Sequence, residues 1–146
     1  MKRNTRGFTL VEILIVVIIL GILAAIVIPQ FTNASNDARN NSVASTLQTL
    51  RSQIELFKIQ HNDTPPAAAN LVALLTAKSS TTETSVNNAT GTAFGPYVQT
   101  FPTNPINGSS AVVNTATAGS GWLYQVTGST YTVKALDTTG TTALTY

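Results

Sequence analysis

A chain of 146 residues has room for one domain and an appendage, which excludes a second large core. It contains no cysteine, so a disulfide framework, a thiolate zinc cluster and a thiol nucleophile are excluded as well. Lys2, Arg3 and Arg6 are three of the eight basic residues, so five face six carboxylates beyond them and the formal charge of +2 belongs to the extreme N-terminus. Nucleic-acid binding needs clustered cations to displace counterions from phosphates. No basic stripe follows residue 7, and no nucleic-acid partner is expected.

The first element is an apolar run from Phe8 to Ile28, interrupted by Thr9 and Glu12 alone. As a helix at about 1.5 Å per residue it measures roughly 31 Å, one bilayer crossing. Three cations precede it and no charge follows until Asp37. The positive-inside tendency therefore places the N-terminus in the cytoplasm and everything after Ile28 outside. A secretory signal has a shorter apolar stretch with a small-residue cleavage site behind it, which this run does not match.

Pro29 removes one helical hydrogen bond, yet helix-compatible sequence resumes at once, so a kink or loosened turn is expected there and not a terminus. Val43, Leu47, Leu50, Ile54 and Phe57 recur at spacings of four and three, which lines them along one helix face as core. The helix should end before Asn62-Asp63-Thr64-Pro65-Pro66, because the prolines forbid continuation. Ala67 to Lys78 reads as a short second helix with Leu71, Leu74 and Leu75 on one side, and Ser79 to Thr92 as a polar loop. Trp122 to Val126 and Tyr131 to Leu136 flank Thr127-Gly128-Ser129-Thr130 and read as a β-hairpin. An irregular Pro-containing segment before it should end in an edge strand near Ala111 to Asn114. The expected fold is α+β: a long N-terminal helix, transmembrane in its first half and amphipathic in its second, packed on a small antiparallel C-terminal sheet.

The string KRNTR-GFTLVE combines a basic leader, Gly7, Phe8, Glu12 and an apolar run. It closely resembles the prepilin signal shared by type IV pilins and type II secretion pseudopilins. The resemblance implies cleavage by a prepilin peptidase between Gly7 and Phe8, N-methylation of Phe8, and polymerisation through the helix on an inner-membrane assembly platform. It divides the chain into a removed leader (1–7), an assembly helix (8–28) and an exported pilin-like domain (29–146). Residue chemistry agrees: Gly7 lets a protease approach the backbone closely, where the plainer alternative is a flexible hinge. An ionisable Glu12 among Ile, Leu and Val is costly unless it is paired or snorkels to the interface. In the family this glutamate is thought to meet the amine of a neighbouring subunit, so a mis-registered subunit would leave a buried charge unpaired. Gly21, Ala24 and Ala25 would let helices approach closely.

Past the helix, the layout of FGPYVQTFPTNPINGSS and the strand start at Gly121-Trp122 is similar to major pseudopilins of type II secretion. Adhesive type IV pilins close this region with a disulfide, which a chain without cysteine lacks. The pseudopilin resemblance implies acidic residues around calcium, whereas here Asn104 and Asn107 flank Pro105 and Asp137 is the only carboxylate after Glu83. Calcium takes several oxygen ligands including carboxylates, so no cofactor is expected, with weak rather than tight calcium binding as the alternative.

No nucleophile elbow, phosphate loop or metal-ligand cluster is present. His61 reads as a solvated residue at the helix end, and Trp122 and Tyr124 as aromatics packing on the helix. An enzyme is therefore not expected. The leading reading is a structural filament subunit, a single-pass inner-membrane precursor that becomes a periplasmic or extracellular homopolymer. The alternative is a singly anchored periplasmic binding module, which needs neither Glu12 nor the Gly7-Phe8 junction.

Overall fold

The computed structural model describes residues 7–80 and 93–146. The chain divides into two units between Ala38 and Arg39. One helix, α1, Leu10–Gln60, crosses that division and runs through Pro29. Pro29 offers no N–H to the carbonyl four residues back, and the Thr32 hydroxyl donates to the Ile28 carbonyl at 3.1 Å beside it. In the first unit every described residue is exposed. Apolar side chains at all angular positions of a helix leave no face to pack on a core.

The second unit holds the core. Val43, Leu47, Leu50, Ile54 and Phe57 are the buried residues of α1, the same five that the spacing selects. Each fully buried side chain of this kind contributes about 1.5–3 kcal/mol of transfer free energy. The helix ends where Asn62 and Asp63 turn to φ 53° and 60°, a left-handed geometry that Asn and Asp tolerate. The Lys58 carbonyl accepts from the His61 and Asp63 N–H groups, and the Lys58 ammonium lies 3.4 Å from the Asp63 carboxylate.

The second helix is shorter than its sequence suggests: a 3₁₀ turn over Ala68–Asn70, then α2, Leu71–Thr76, burying Leu71, Leu74 and Leu75. The expected loop from Ser79 begins with a strand instead. Here β1, Ser79–Ser80, pairs antiparallel with β2, Ala93–Phe94. The rest of that loop lies outside the described residues.

A second sheet has the order β3-β4-β5, with β3 at Val112–Val113, β4 at Trp122–Thr127 and β5 at Thr130–Ala135. The hairpin pairs Trp122 with Ala135 and Tyr124 with Val133. These four side chains are buried and join the α1 and α2 residues in one cluster. Gly128, at φ 61°, supplies the turn conformation that lets the ladder close at Thr127 and Thr130. The fold is α+β as expected, with one correction: β3 runs parallel to β4, so the sheet is mixed and not antiparallel. A two-residue strand carries no residue pattern that fixes its direction.

Candidate functional site

Gly7, Phe8 and Thr9 lie outside any helix, and Phe8 is 83% exposed. Lys2, Arg3 and Arg6 of the leader lie outside the described residues. Thr9 is the residue before the helix. Its backbone N–H donates to Glu12 Oε2 at 2.8 Å and its hydroxyl to the same oxygen at 2.7 Å, while the Glu12 N–H donates back to Thr9 Oγ1 at 3.3 Å. This is a capping box, in which two helix-start donors that would lack partners satisfy each other's side chains. The T-x-x-E spacing was present in the sequence as its signal, and the sequence reading of Glu12 passed over it.

Glu12 therefore sits on the first turn of a helix whose side chains from Leu10 to Ile28 are exposed throughout. Val11, Ile13, Val16 and Ile19 are each about half exposed or more, as the side chains of an apolar helix that packs on nothing must be. A span of this length and composition suits a membrane crossing. Gly21 has open space around the position a Cβ would take. The structure thus places Gly7 and Phe8 just ahead of α1, Glu12 in its first turn, and Pro29 farther along the same helix.

The remaining sequence candidates lie in the second unit and are structural. His61 is a correction: it is 3% exposed and not solvated. Its ring stacks on Phe57 at 3.7 Å between centroids. Nδ1 donates to the Phe57 carbonyl at 2.8 Å, and Nε2 shares a hydrogen bond with Ser79 Oγ at 3.0 Å. That bond fastens β1 to the end of α1. Trp122 and Tyr124 are fully buried. The Trp122 indole N–H donates to the Pro102 carbonyl at 3.0 Å and the Tyr124 hydroxyl to the Pro66 carbonyl at 2.9 Å, so each polar tip has a partner. Burial pushes the Tyr124 phenol far above its usual range, helped by the neighbouring Tyr131. Tyr131 is pushed up to about 12 by desolvation and by Glu55. Among the described residues no three His, Cys, Asp or Glu side chains gather where they could hold a metal.

An exposed apolar helix that opens on a capped glutamate, followed by an α+β unit, defines a pilin-like class of membrane-anchored subunit. The profile of the prokaryotic N-terminal methylation motif matches residues 2–28. The type II secretion system core protein G of Klebsiella michiganensis is 30% identical over 113 residues, which is 77% of this chain and 76% of that protein. The protein of the same name from Klebsiella pneumoniae is 32% identical over 103 residues, 70% of each chain. That of Dickeya chrysanthemi is 36% identical over 75 residues, 51% of this chain and about half, 49%, of its own length. The chain belongs to the family of the type II secretion system core protein G, the major pseudopilins. These are structural subunits and not enzymes. No solved structure matches the chain.

Proposed function

We propose that the chain is the structural subunit of a type II secretion pseudopilus, made as a membrane precursor, cut between Gly7 and Phe8, methylated on Phe8, and polymerised through residues 8–28. The carrying observation is the exposed apolar surface of α1 with one carboxylate in it, Glu12, held by the Thr9 cap. Outside a bilayer that surface must find another apolar environment, and a bundle of identical helices supplies one. In such a bundle Glu12 would accept the new amine of Phe8 from a neighbouring subunit and so set the axial register.

The exposed, non-helical Gly7 and Phe8 support access by a membrane-embedded prepilin peptidase. The break in hydrogen bonding at Pro29 supports a turn that loosens when subunits pack. The charge ahead of the span supports export of residues 29–146 to the periplasmic side, and the pseudopilin family supports an inner-membrane assembly platform as partner. Intact mass and N-terminal sequencing of the membrane-purified chain test the reading. A chain starting at Phe8 with one added methyl group is expected, and retention of Met1, or a cut near Ala25, would sink it.

A further inference from the structure

Two asparagines fasten residues 102–111 to the end of the second sheet. Asn104 is fully buried, and its Nδ2 donates to the carbonyls of Gly121 and Leu136, both at 2.8 Å, while Oδ1 accepts from the Ile106 N–H at 2.9 Å. Asn107 repeats the arrangement one step out. Its Nδ2 donates to Ser120 at 2.8 Å and Asp137 at 2.9 Å, and Oδ1 accepts from the Ser109 N–H at 3.0 Å. The orientation of both amides is forced, since one end faces only carbonyls and the other only an N–H. The four carbonyls are two consecutive pairs, Ser120-Gly121 entering β4 and Leu136-Asp137 leaving β5. Packing there is tight: a Cβ on Gly121 would run into the Ser109 carbonyl.

A cluster of converging carbonyls is the kind of oxygen set a calcium ion gathers, and the pseudopilin resemblance implies calcium in this stretch. The residues present do not fit it. A cation among these oxygens would meet the N–H hydrogens of Asn104 and Asn107, which are donors already using both protons. Asp137, a nearby carboxylate among the described residues, accepts from the Thr141 and Thr142 N–H groups through Oδ1 and from the Thr139 hydroxyl through both oxygens. Desolvation pushes that carboxyl up, and the bonds from Thr139, Thr142, Thr141 and Gly140 outweigh it and hold the carboxyl below its usual range. It serves as the organiser of its own turn.

We infer that the side-chain amides of Asn104 and Asn107 do in this chain the fastening that a divalent cation would do, so that its C-terminal sheet closes and stays closed without calcium. The inference goes beyond the proposed function and depends neither on the cut at Gly7 nor on polymerisation.

The test is thermal unfolding of the full chain in detergent, followed by the fluorescence of Trp122, the single tryptophan, which sits beside this cluster through its bond to Pro102. With EDTA and with millimolar calcium the midpoint should be the same. A calcium site filled at a hundred times its Kd would raise it by roughly 10 °C or more, and a rise of that kind would overturn the inference. Asn107→Asp keeps the shape but turns an oxygen toward the Ser120 and Asp137 carbonyls. In EDTA its midpoint should fall by roughly 5 °C or more, and melting with the unaltered chain would also overturn the inference. Should that variant not fold, the comparison on the unaltered chain still decides.

Discussion

Thr9 and Glu12 cap each other across the first turn of α1, the Thr9 N–H and hydroxyl both reaching Glu12 Oε2 within 2.8 Å. The Glu12 carboxylate thereby has a hydrogen-bond partner within its own chain. Replacing Thr9 by Ala removes the hydroxyl that accepts from Glu12, at about 1 kcal/mol for a lost cap. Amide exchange over the first turn in detergent micelles should quicken by roughly fivefold. Unchanged exchange would mean that the cap does not hold the helix start.

The core cluster lies wholly between Val43 and Leu144, and none of its members comes from the apolar span. A fragment beginning near Phe31 should therefore be soluble and folded, with the circular dichroism of mixed helix and strand. Aggregation of that fragment would show that the core depends on the upstream helix or on neighbouring subunits.

Along the second half of α1 the two faces should respond differently to truncation. Ile54 is fully buried and Ile59 is 78% exposed. Ile54→Ala should cost about 2–5 kcal/mol, the range for a buried aliphatic side chain replaced by Ala, and Ile59→Ala should stay within about 0.5 kcal/mol. Urea unfolding of the soluble fragment measures both, and equal costs would misplace the buried face.

Tyr124 and Tyr131 carry phenols raised above the ordinary value of 10.0. A raised folded-state value means that the folded chain holds those protons more tightly than the unfolded chain. The stability tied to them is then fully present below the unfolded value near 10.0 and is lost as pH rises from there toward the folded values. Thermal midpoints measured upward from neutral pH should stay level and then fall beyond that point. Tyr124→Phe should flatten part of the fall, while lowering stability at neutral pH by about 1–3 kcal/mol because the buried Pro66 carbonyl loses its donor. An alkaline fall identical in the variant would remove Tyr124 from the account.

Much of this was legible before the structure. The stripe from Val43 to Phe57, the leucines of α2 and the alternation of Trp122 and Tyr124 each repeat with the period of their element, and periodicity survives in sequence. The pairing of Ser79–Ser80 with Ala93–Phe94 and the parallel course of β3 were not legible. Elements of two residues have no period, and their partners are set by the surrounding chain. His61 was misread because a single histidine beside Asn and Asp looks like solvated helix end, whereas stacking on Phe57 and a bond to Ser79 are contacts from 18 residues away and from the turn below. At the candidate site, the prepilin-like string around Gly7, Phe8 and Glu12 was readable, and the methylation motif matches it over residues 2–28. Thr9, which completes the cap, was readable from its spacing alone and went unused.

Glu12→Gln separates the charge of Glu12 from its cap, because glutamine can still complete the capping box with Thr9 and so leaves the helix start intact while removing the charge. Membrane insertion should be undiminished, since taking a charge out of an apolar span eases insertion. Filament assembly should collapse. If Glu12 pairs with the amine of Phe8 in a neighbour, the variant strands that amine among apolar side chains, and breaking one side of a buried pair costs about 3–5 kcal/mol, roughly a hundredfold or more in the assembly equilibrium. Filament yield at equal membrane levels of the two chains is the measurement. Few or no filaments are expected from Glu12→Gln, and undiminished assembly would rule out pairing of Glu12 with the Phe8 amine.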